Sequence, residues 1–329
     1  MPTDTARPID PSPAEFAGES SAQVAKRLFH ATRPKFFPAS VLPVLAGTAW
    51  GIHVSGHFDA LLFVLALLAT VCVHAGANVI NDVGDESGGT DRQNNDRIYP
   101  YTGGSRFIQT GIMDSSGMAK LGISLLAIAA IAGMLLLLMK GPMILAFGLA
   151  GVALAVFYSV GPIRLSSIGL GELAVAVAFG VIPVVGAAWL QSNTISSAGL
   201  IYSIPVSAWV AAILLINGVP DIRADSATGK RTLPVRLGYR GTANLYIAVH
   251  LFAVAAIVQL AATGQLPILA PLLPAGLLVL AIKSAAGIRQ GVEDRDGMTK
   301  AIESTLAIHT LGSVWLSGCA LFAFFWPAQ

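Results

Sequence analysis

Two short stretches of this chain concentrate amide and acid side chains at the ends of apolar runs. The first carries Asn78, Asn81, Asp82, Asp85, Glu86 and Asp91; the second carries Asn217, Asp221 and Asp225. On a helix, residues three and four apart share a face, so the spacing predicts one face for Asn78, Asp82 and Asp85 and one for Asn217, Asp221 and Asp225. Both stretches thus repeat one pattern, an Asn, an Asp four residues on, and a second Asp a turn later. Neighbouring carboxylates repel, and near a helix C-terminus they also meet an unfavourable dipole. Each cluster therefore costs stability unless a cation is shared. Hard oxygen ligands suit Mg²⁺, which commonly takes one or two carboxylates together with phosphate oxygens of a substrate. Two facing clusters fit two or more Mg²⁺ ions with a diphosphate clamped between them. A solvated loop whose acids balance nearby arginines accounts for one such cluster. Two matched clusters, each led by Asn, favour the metal reading.

The same loops hold basic partners for a diphosphate. Arg97 and Arg106 follow the first cluster, Arg106 within the run 102–111; Lys230 and Arg231 follow the second, within 229–238. Arginine forks and a lysine point charge both suit phosphate oxygens. Taken singly, each is explained as a charge that sets membrane topology. As a set they favour an anionic ligand.

The elements that must position these groups are membrane spans. Of 329 residues, 54% are hydrophobic and only 12% charged, and the mean hydropathy is +0.70. Soluble domains carry roughly 25% charged residues, so half the charge of a wet surface is missing. The composition excludes a disordered chain and argues for an integral membrane protein. A net charge of +2 leaves no basic surplus for nucleic acid. Cys72 and Cys319 lie in apolar runs and form neither a disulfide framework nor a zinc spacing. Apolar stretches of the length needed to cross a bilayer predict nine transmembrane helices. They lie near 37–54, 60–81, 118–139, 141–160, 168–190, 198–219, 242–263, 265–285 and 303–325. All but one of the 20 basic residues, Lys140, then fall on the side of the N-terminus, which makes that side cytoplasmic. Trp50, Trp189 and Trp326 are expected at the opposite interface. Both acidic clusters sit at the cytoplasmic ends of spans two and six. Residues 1–25, polar and rich in Pro, Ser and Ala, are expected to form a disordered tail without secretory-signal character, with 26–329 as one nine-helix domain. The stretch 24–30 reads either as a short helix on the membrane surface or as a plain linker.

These motifs resemble the UbiA superfamily of intramembrane prenyltransferases. Three further stretches, 103–111, 158–164 and 169–172, resemble its MenA-like branch, the 1,4-dihydroxy-2-naphthoate polyprenyltransferases. The similarity spans about residues 30–325. It implies an all-helical, nine-span bundle that joins a polyprenyl diphosphate to an aromatic acceptor with Mg²⁺, in the lipid bilayer of the inner membrane. It also implies that Asp82, Asp85, Asp91, Asp221 and Asp225 are metal ligands, with Asn78, Asn81 and Asn217 as their polar companions. Tyr158 and Arg164 match a Tyr and a basic residue that face the prenyl diphosphate in the family. Asp91 comes six residues after Asp85, later than in the commoner motif, so either Asp91 or Glu86 completes the first metal set. The implied chemistry is ionisation of the allylic C–O bond, trapping of the cation by an electron-rich ring, and loss of a proton, with CO₂ when the ring carries a carboxylate.

Several polar residues carry two readings. Glu172, near the start of span five, is an intramembrane acid and hence a functional candidate, or merely complements its helix N-terminus. His74, one turn before Asn78, reads as a hydrogen-bonded core imidazole, as do His250 and His309. The connection 283–303 reads as solvated or as a lid. A secondary transporter would place its acids near the midplane at broken helices. A CDP-alcohol phosphatidyltransferase would carry its Asp pairs in one compact motif. Acceptors such as 4-hydroxybenzoate stay open within the superfamily.

Overall fold

The computed structural model describes residues 10–88, 96–159 and 164–325, and among them there are helices and connections but no strand. In chain order the helices are α1 (Ser21–Ala31), α2 (Pro38–Ser55), α3 (Ala60–Gly88), α4 (Ser115–Lys140), α5 (Met143–Ser159) and α6 (Gly171–Ser192). They continue with α7 (Ser197–Asn217), α8 (Ile222–Ala227), α9 (Leu233–Ala262), α10 (Leu272–Gln290) and α11 (Arg295–Phe325). Eight of these are long and apolar enough to cross a membrane. The ninth apolar helix, α5, has 17 residues, about the shortest length that spans. The protein is an integral membrane protein, and the nine expected spans are α2 to α7 and α9 to α11.

Side-chain caps start the helices where the sequence places small polar residues. Asp114 accepts from the Gly117 N–H to open α4, Ser196 from Gly199 to open α7, and Thr232 from Val235 to open α9. α2 ends at Gly56, whose φ of 69° is the left-handed stop that glycine adopts without strain. Successive spans pack as neighbours from α2 round to α11, and α11 closes back onto α2. The largest buried cluster joins α2, α7, α9, α10 and α11 around Trp209, Tyr202 and Tyr246. α2 also crosses α6 closely: a Cβ on Gly47 would lie 2.2 Å from the Val184 carbonyl oxygen, so only glycine fits this crossing. The outer faces of α4 and α5 expose Ile123, Ile131, Leu138 and Leu149, as lipid-facing surfaces do.

Several boundaries move from the expected ones, and for one reason. Hydropathy detects only the part of a helix inside hydrocarbon, whereas these helices continue into the polar layer. α3 runs on to Gly88 with its acids still helical, and α11 begins at Arg295, eight residues before the apolar stretch. α10 starts at Leu272, because Gly264 (φ 73°), Pro267 and Pro271 hold 263–271 in turns. α9 is broken at Gly238 (φ 61°), which returns its membrane-crossing part close to the expected start. The tryptophans also differ from a lipid-facing belt. Trp50 is 3% exposed and packs on Tyr202, and Trp189 is 8% exposed beneath the Lys140 ammonium. Both sit at the expected end but fill helix contacts there; Trp326 lies outside the described residues.

The N-terminal stretch is not a free tail from Asp10 onward. A short 3₁₀ turn (Pro13–Phe16) leads into α1, and Phe16 is buried with Ala31, Val79, Phe107 and Met118. α1 covers the surface helix expected near 24–30 and exposes Leu28 and Phe29.

Candidate active site

α3 carries the first cluster on its last turns. Asp82 is 2% exposed; its Oδ2 accepts the backbone N–H of Ser105 at 2.9 Å, while its buried Oδ1 has no hydrogen-bond partner among the described residues. Asp85 accepts from the Asn81 amide at 2.7 Å, and the Asn78 amide donates to the Thr32 carbonyl at 3.3 Å. Glu86 accepts from Gln109 at 3.0 Å. Asp91, the other candidate for the first metal set, lies outside the described residues.

The second cluster departs from the expected single helical face. Pro220 cannot continue α7, so the chain turns at 218–221 and restarts as α8. Asn217 thus ends one helix, with its buried Oδ1 lacking a hydrogen-bond partner among the described residues, whereas Asp221 stands at the N-cap position of the next without a side-chain capping bond and Asp225 is buried in its first turn. Asp221 and Asp225 still share a turn, since the Asp225 N–H donates to the Asp221 carbonyl at 2.8 Å.

Lys230 pairs with the second cluster and lies within electrostatic reach of the first. Its Nζ lies 3.3 Å from Asp225 Oδ1, and its charge acts on Asp85, which also feels Asp82. Across the same gap Arg223 pairs with Asp96 at 3.5 Å. Tyr158, at the end of α5, lies within electrostatic reach of Glu172, Asp225 and Asp85. Glu172, buried at the start of α6, has an unpartnered Oε2. The Arg231 N–H donates to the Ser167 carbonyl at 2.8 Å, which ties the loop after α8 to the segment that begins at Arg164. Arg164 and Arg231 are both exposed.

Arg97 and Arg106 behave differently from the expectation. Both guanidiniums converge on Asp10, an acid of the N-terminal segment. The loop that holds them is folded, not solvated: Ile98, Tyr101, Thr102, Ser105 and Phe107 are all buried. Gly103 (φ 79°) is required there, because a Cβ would meet the Arg97 side chain at 2.8 Å. The 283–303 connection docks on this loop as well. Arg295 donates to the Arg97 carbonyl, and the Tyr101 hydroxyl donates to Glu303 at 2.9 Å. His74 keeps its core character, bonded to Ser40 and edge-on to Phe37 and Phe179. His250 and His309 bond backbone carbonyls. The site residues that sequence reasoning missed are Ser105, which acts through its backbone, and Asp10. Ser105 lies within the 103–111 stretch but contributes a backbone N–H that no side-chain spacing marks, and Asp10 carries no motif signal.

Among the described residues, no three His, Cys, Asp or Glu side chains already stand in metal-ligating geometry. Mg²⁺ rarely uses an all-protein cage and fills its shell with water and substrate oxygens. Asp82 Oδ1 and Asn217 Oδ1 are buried acceptors without a donor, one from each cluster, which fits a cation as their partner.

Comparison with known proteins identifies the family and the fold. Residues 40–302 match the UbiA prenyltransferase family model. A 1,4-dihydroxy-2-naphthoate octaprenyltransferase of Mycobacterium tuberculosis is 33% identical over 269 residues, covering 80% of this chain and 86% of its own. One of the same name from Escherichia coli is 35% identical over 214 residues, 63% of this chain and 67% of its own. Among solved structures, a UbiA homolog from Aeropyrum pernix aligns with a TM-score of 0.63 at 19% identity, over 86% of this chain and 97% of its own. A UbiA homolog from Archaeoglobus fulgidus, bound to DMAPP and Mg²⁺, aligns with a TM-score of 0.63 at 15% identity, over 88% of this chain and 99% of its own. An all-helical membrane bundle with two acidic clusters at one end thus has its family: the chain belongs to the UbiA prenyltransferases.

Proposed function

We propose that this chain transfers a polyprenyl group from polyprenyl diphosphate to 1,4-dihydroxy-2-naphthoate, a step of menaquinone synthesis, at the cytoplasmic face of the inner membrane. The observation that carries the reading is the pairing of Lys230 with Asp225, within electrostatic reach of Asp85, together with a buried oxygen in each cluster, on Asp82 and on Asn217, that has no hydrogen-bond partner among the described residues. Relatives named for that acceptor supply the choice of ring.

The roles follow from charge and position. Asp82, Asp85, Asp221 and Asp225, with Asn78, Asn81 and Asn217, offer the hard oxygens that Mg²⁺ takes. Asp91 belongs to the same set by its place in the motif. When bound, Mg²⁺ supplies neutralisation of the diphosphate charge. Lys230, Arg164 and Arg231 add donors around the same anion, and Arg97 and Arg106 flank it from the loop that touches Asp82. These groups stabilise the leaving diphosphate as it takes the electron pair of the allylic C–O bond. Tyr158 lines the route between the clusters, and the apolar spans hold the prenyl tail. The ring carbon then forms the new bond, and its carboxylate leaves as CO₂, the electron pair of the broken C–C bond returning to the ring to restore aromaticity; an acceptor carbon that bears hydrogen instead loses that proton to water.

The test is incubation of purified protein with a polyprenyl diphosphate, Mg²⁺ and a panel of aromatic acceptors. Prenylated, decarboxylated naphthoquinol is the expected product, absent when EDTA replaces Mg²⁺. Product from 4-hydroxybenzoate alone rejects the naphthoate acceptor, and no product with any ring rejects the reading.

A further inference from the structure

We propose that Asp10 is a positioning residue for prenyl transfer, gathering Arg97 and Arg106 and so setting the 97–107 loop against Asp82. The proposal rests on the reading above, in which that loop and Asp82 serve the diphosphate. Arg97 donates to Asp10 from Nε at 3.1 Å and from Nη2 to both carboxylate oxygens, at 3.0 and 2.9 Å. Arg106 donates from Nε to the same Oδ1 at 3.1 Å. One carboxylate oxygen therefore serves two arginines.

The energetics explain why an acid is needed there. The side chains of Arg97 and Arg106 are only 10% and 9% exposed, against 31% for Asp10. Two guanidiniums drawn together out of water repel strongly unless an anion lies between them. With Asp10 in place the three groups keep one net positive charge and a fixed mutual orientation. Arg106 also sits in the left-handed region (φ 65°), a conformation strained for a non-glycine residue that needs outside contacts to hold it. Its neighbour Ser105 gives its N–H to Asp82. A continuous path of bonded groups thus runs from Asp10 through Arg106 and Ser105 to the first acidic cluster.

The segment bearing Asp10 is itself anchored. Phe16 is 4% exposed, edge-on to Phe107 at 4.9 Å and to His30 at 5.4 Å. Arg27 of α1 donates to the Phe16 and Gly18 carbonyls, and Lys26 pairs with Glu15 at 3.1 Å. On the loop side, burial first and then Glu15 and Asp10 push the Tyr99 phenol above its ordinary value, so the acids of the segment face this loop. A passing tail would make none of these contacts.

Asp10→Asn keeps the shape and removes the charge. With Mg²⁺ present, it is expected to raise the KM for prenyl diphosphate about tenfold, with a matching loss of affinity for a prenyl thiodiphosphate analogue. kcat and the KM of the aromatic acceptor stay within about twofold, as for lost uniform binding. Asp10→Glu restores most of the loss. In an Arg97→Gln, Arg106→Gln background, Asp10→Asn adds nothing, since its partners are gone. Asp10→Ser repeats the measurement should Asp10→Asn not assemble. Unchanged diphosphate affinity in Asp10→Asn overturns the proposal. So does tighter binding, which makes the carboxylate a competitor of the diphosphate, and so does a further loss in the arginine background. A wild-type protein that binds no analogue rejects the functional reading and the proposal with it; binding that Asp10→Asn leaves intact rejects the proposal alone.

Discussion

Asp82→Asn lowers kcat/KM for prenyl transfer by about a thousandfold while the protein still folds, a loss of roughly 4 kcal/mol of transition-state stabilisation. The size follows from where Asp82 stands. It is almost fully buried, one oxygen is committed to the Ser105 N–H, and the other has no hydrogen-bond partner among the described residues. Asparagine preserves the first contact, because its carbonyl oxygen accepts the same N–H. It removes the negative charge that would hold a cation through the second oxygen. Asp82→Ala removes both and leaves the Ser105 N–H unsatisfied, which adds about 1–3 kcal/mol of destabilisation. Comparing the two variants by single-turnover rates and thermal unfolding separates chemistry from folding. Activity of Asp82→Asn above a tenth of wild type would contradict the role given to this residue.

Lys230→Gln carries the second large effect, about a hundredfold in kcat/KM, and a sign that distinguishes its role. The ammonium is 3.3 Å from Asp225 and acts on Asp85, so it partly neutralises both clusters and offers donors between them. Removing it takes a positive charge out of the site, whose net charge becomes more negative. Affinity for Mg²⁺ alone therefore rises, while the KM for prenyl diphosphate also rises because an anion-binding donor is lost. A lysine that only set topology would leave both unchanged. Lys230→Arg restores charge without the compact point geometry, so it recovers part of the rate. Metal titration of the variant, read beside its steady-state kinetics, checks both directions. A weaker hold on Mg²⁺ would count against the arrangement.

The parts of this molecule that depend on local pattern were legible in the sequence. The spans follow from hydrophobic length, and the repeated Asn and Asp spacing nominates Asp82, Asp85, Asp221 and Asp225 as candidates. Three-dimensional choices were not legible. Pro220 separates Asn217 from Asp221 by breaking α7, a turn that helical spacing alone passes over. The loop bearing Arg97 and Arg106 looks like a charged connection, yet its buried Tyr101, Ser105 and Phe107 fold it over the first cluster. Asp10 sits in a polar, proline-rich stretch whose composition reads as tail. Its partners lie far along the chain, and no local spacing announces them. Trp50 and Trp189 show the converse case, since residues at the expected interface turned inward to fill helix contacts.

The central claim is that two acidic clusters, distant in sequence, hold one metal–diphosphate site. Mn²⁺ in place of Mg²⁺, with a prenyl thiodiphosphate analogue, allows electron paramagnetic resonance to report both the bound metal and its coupling to phosphorus. The account predicts phosphorus coupling in the wild-type protein and its loss in both Asp82→Asn and Asp221→Asn, one variant from each cluster. Full metal binding with unchanged phosphorus coupling in either variant would show that its cluster stands apart from the diphosphate, and would contradict the account.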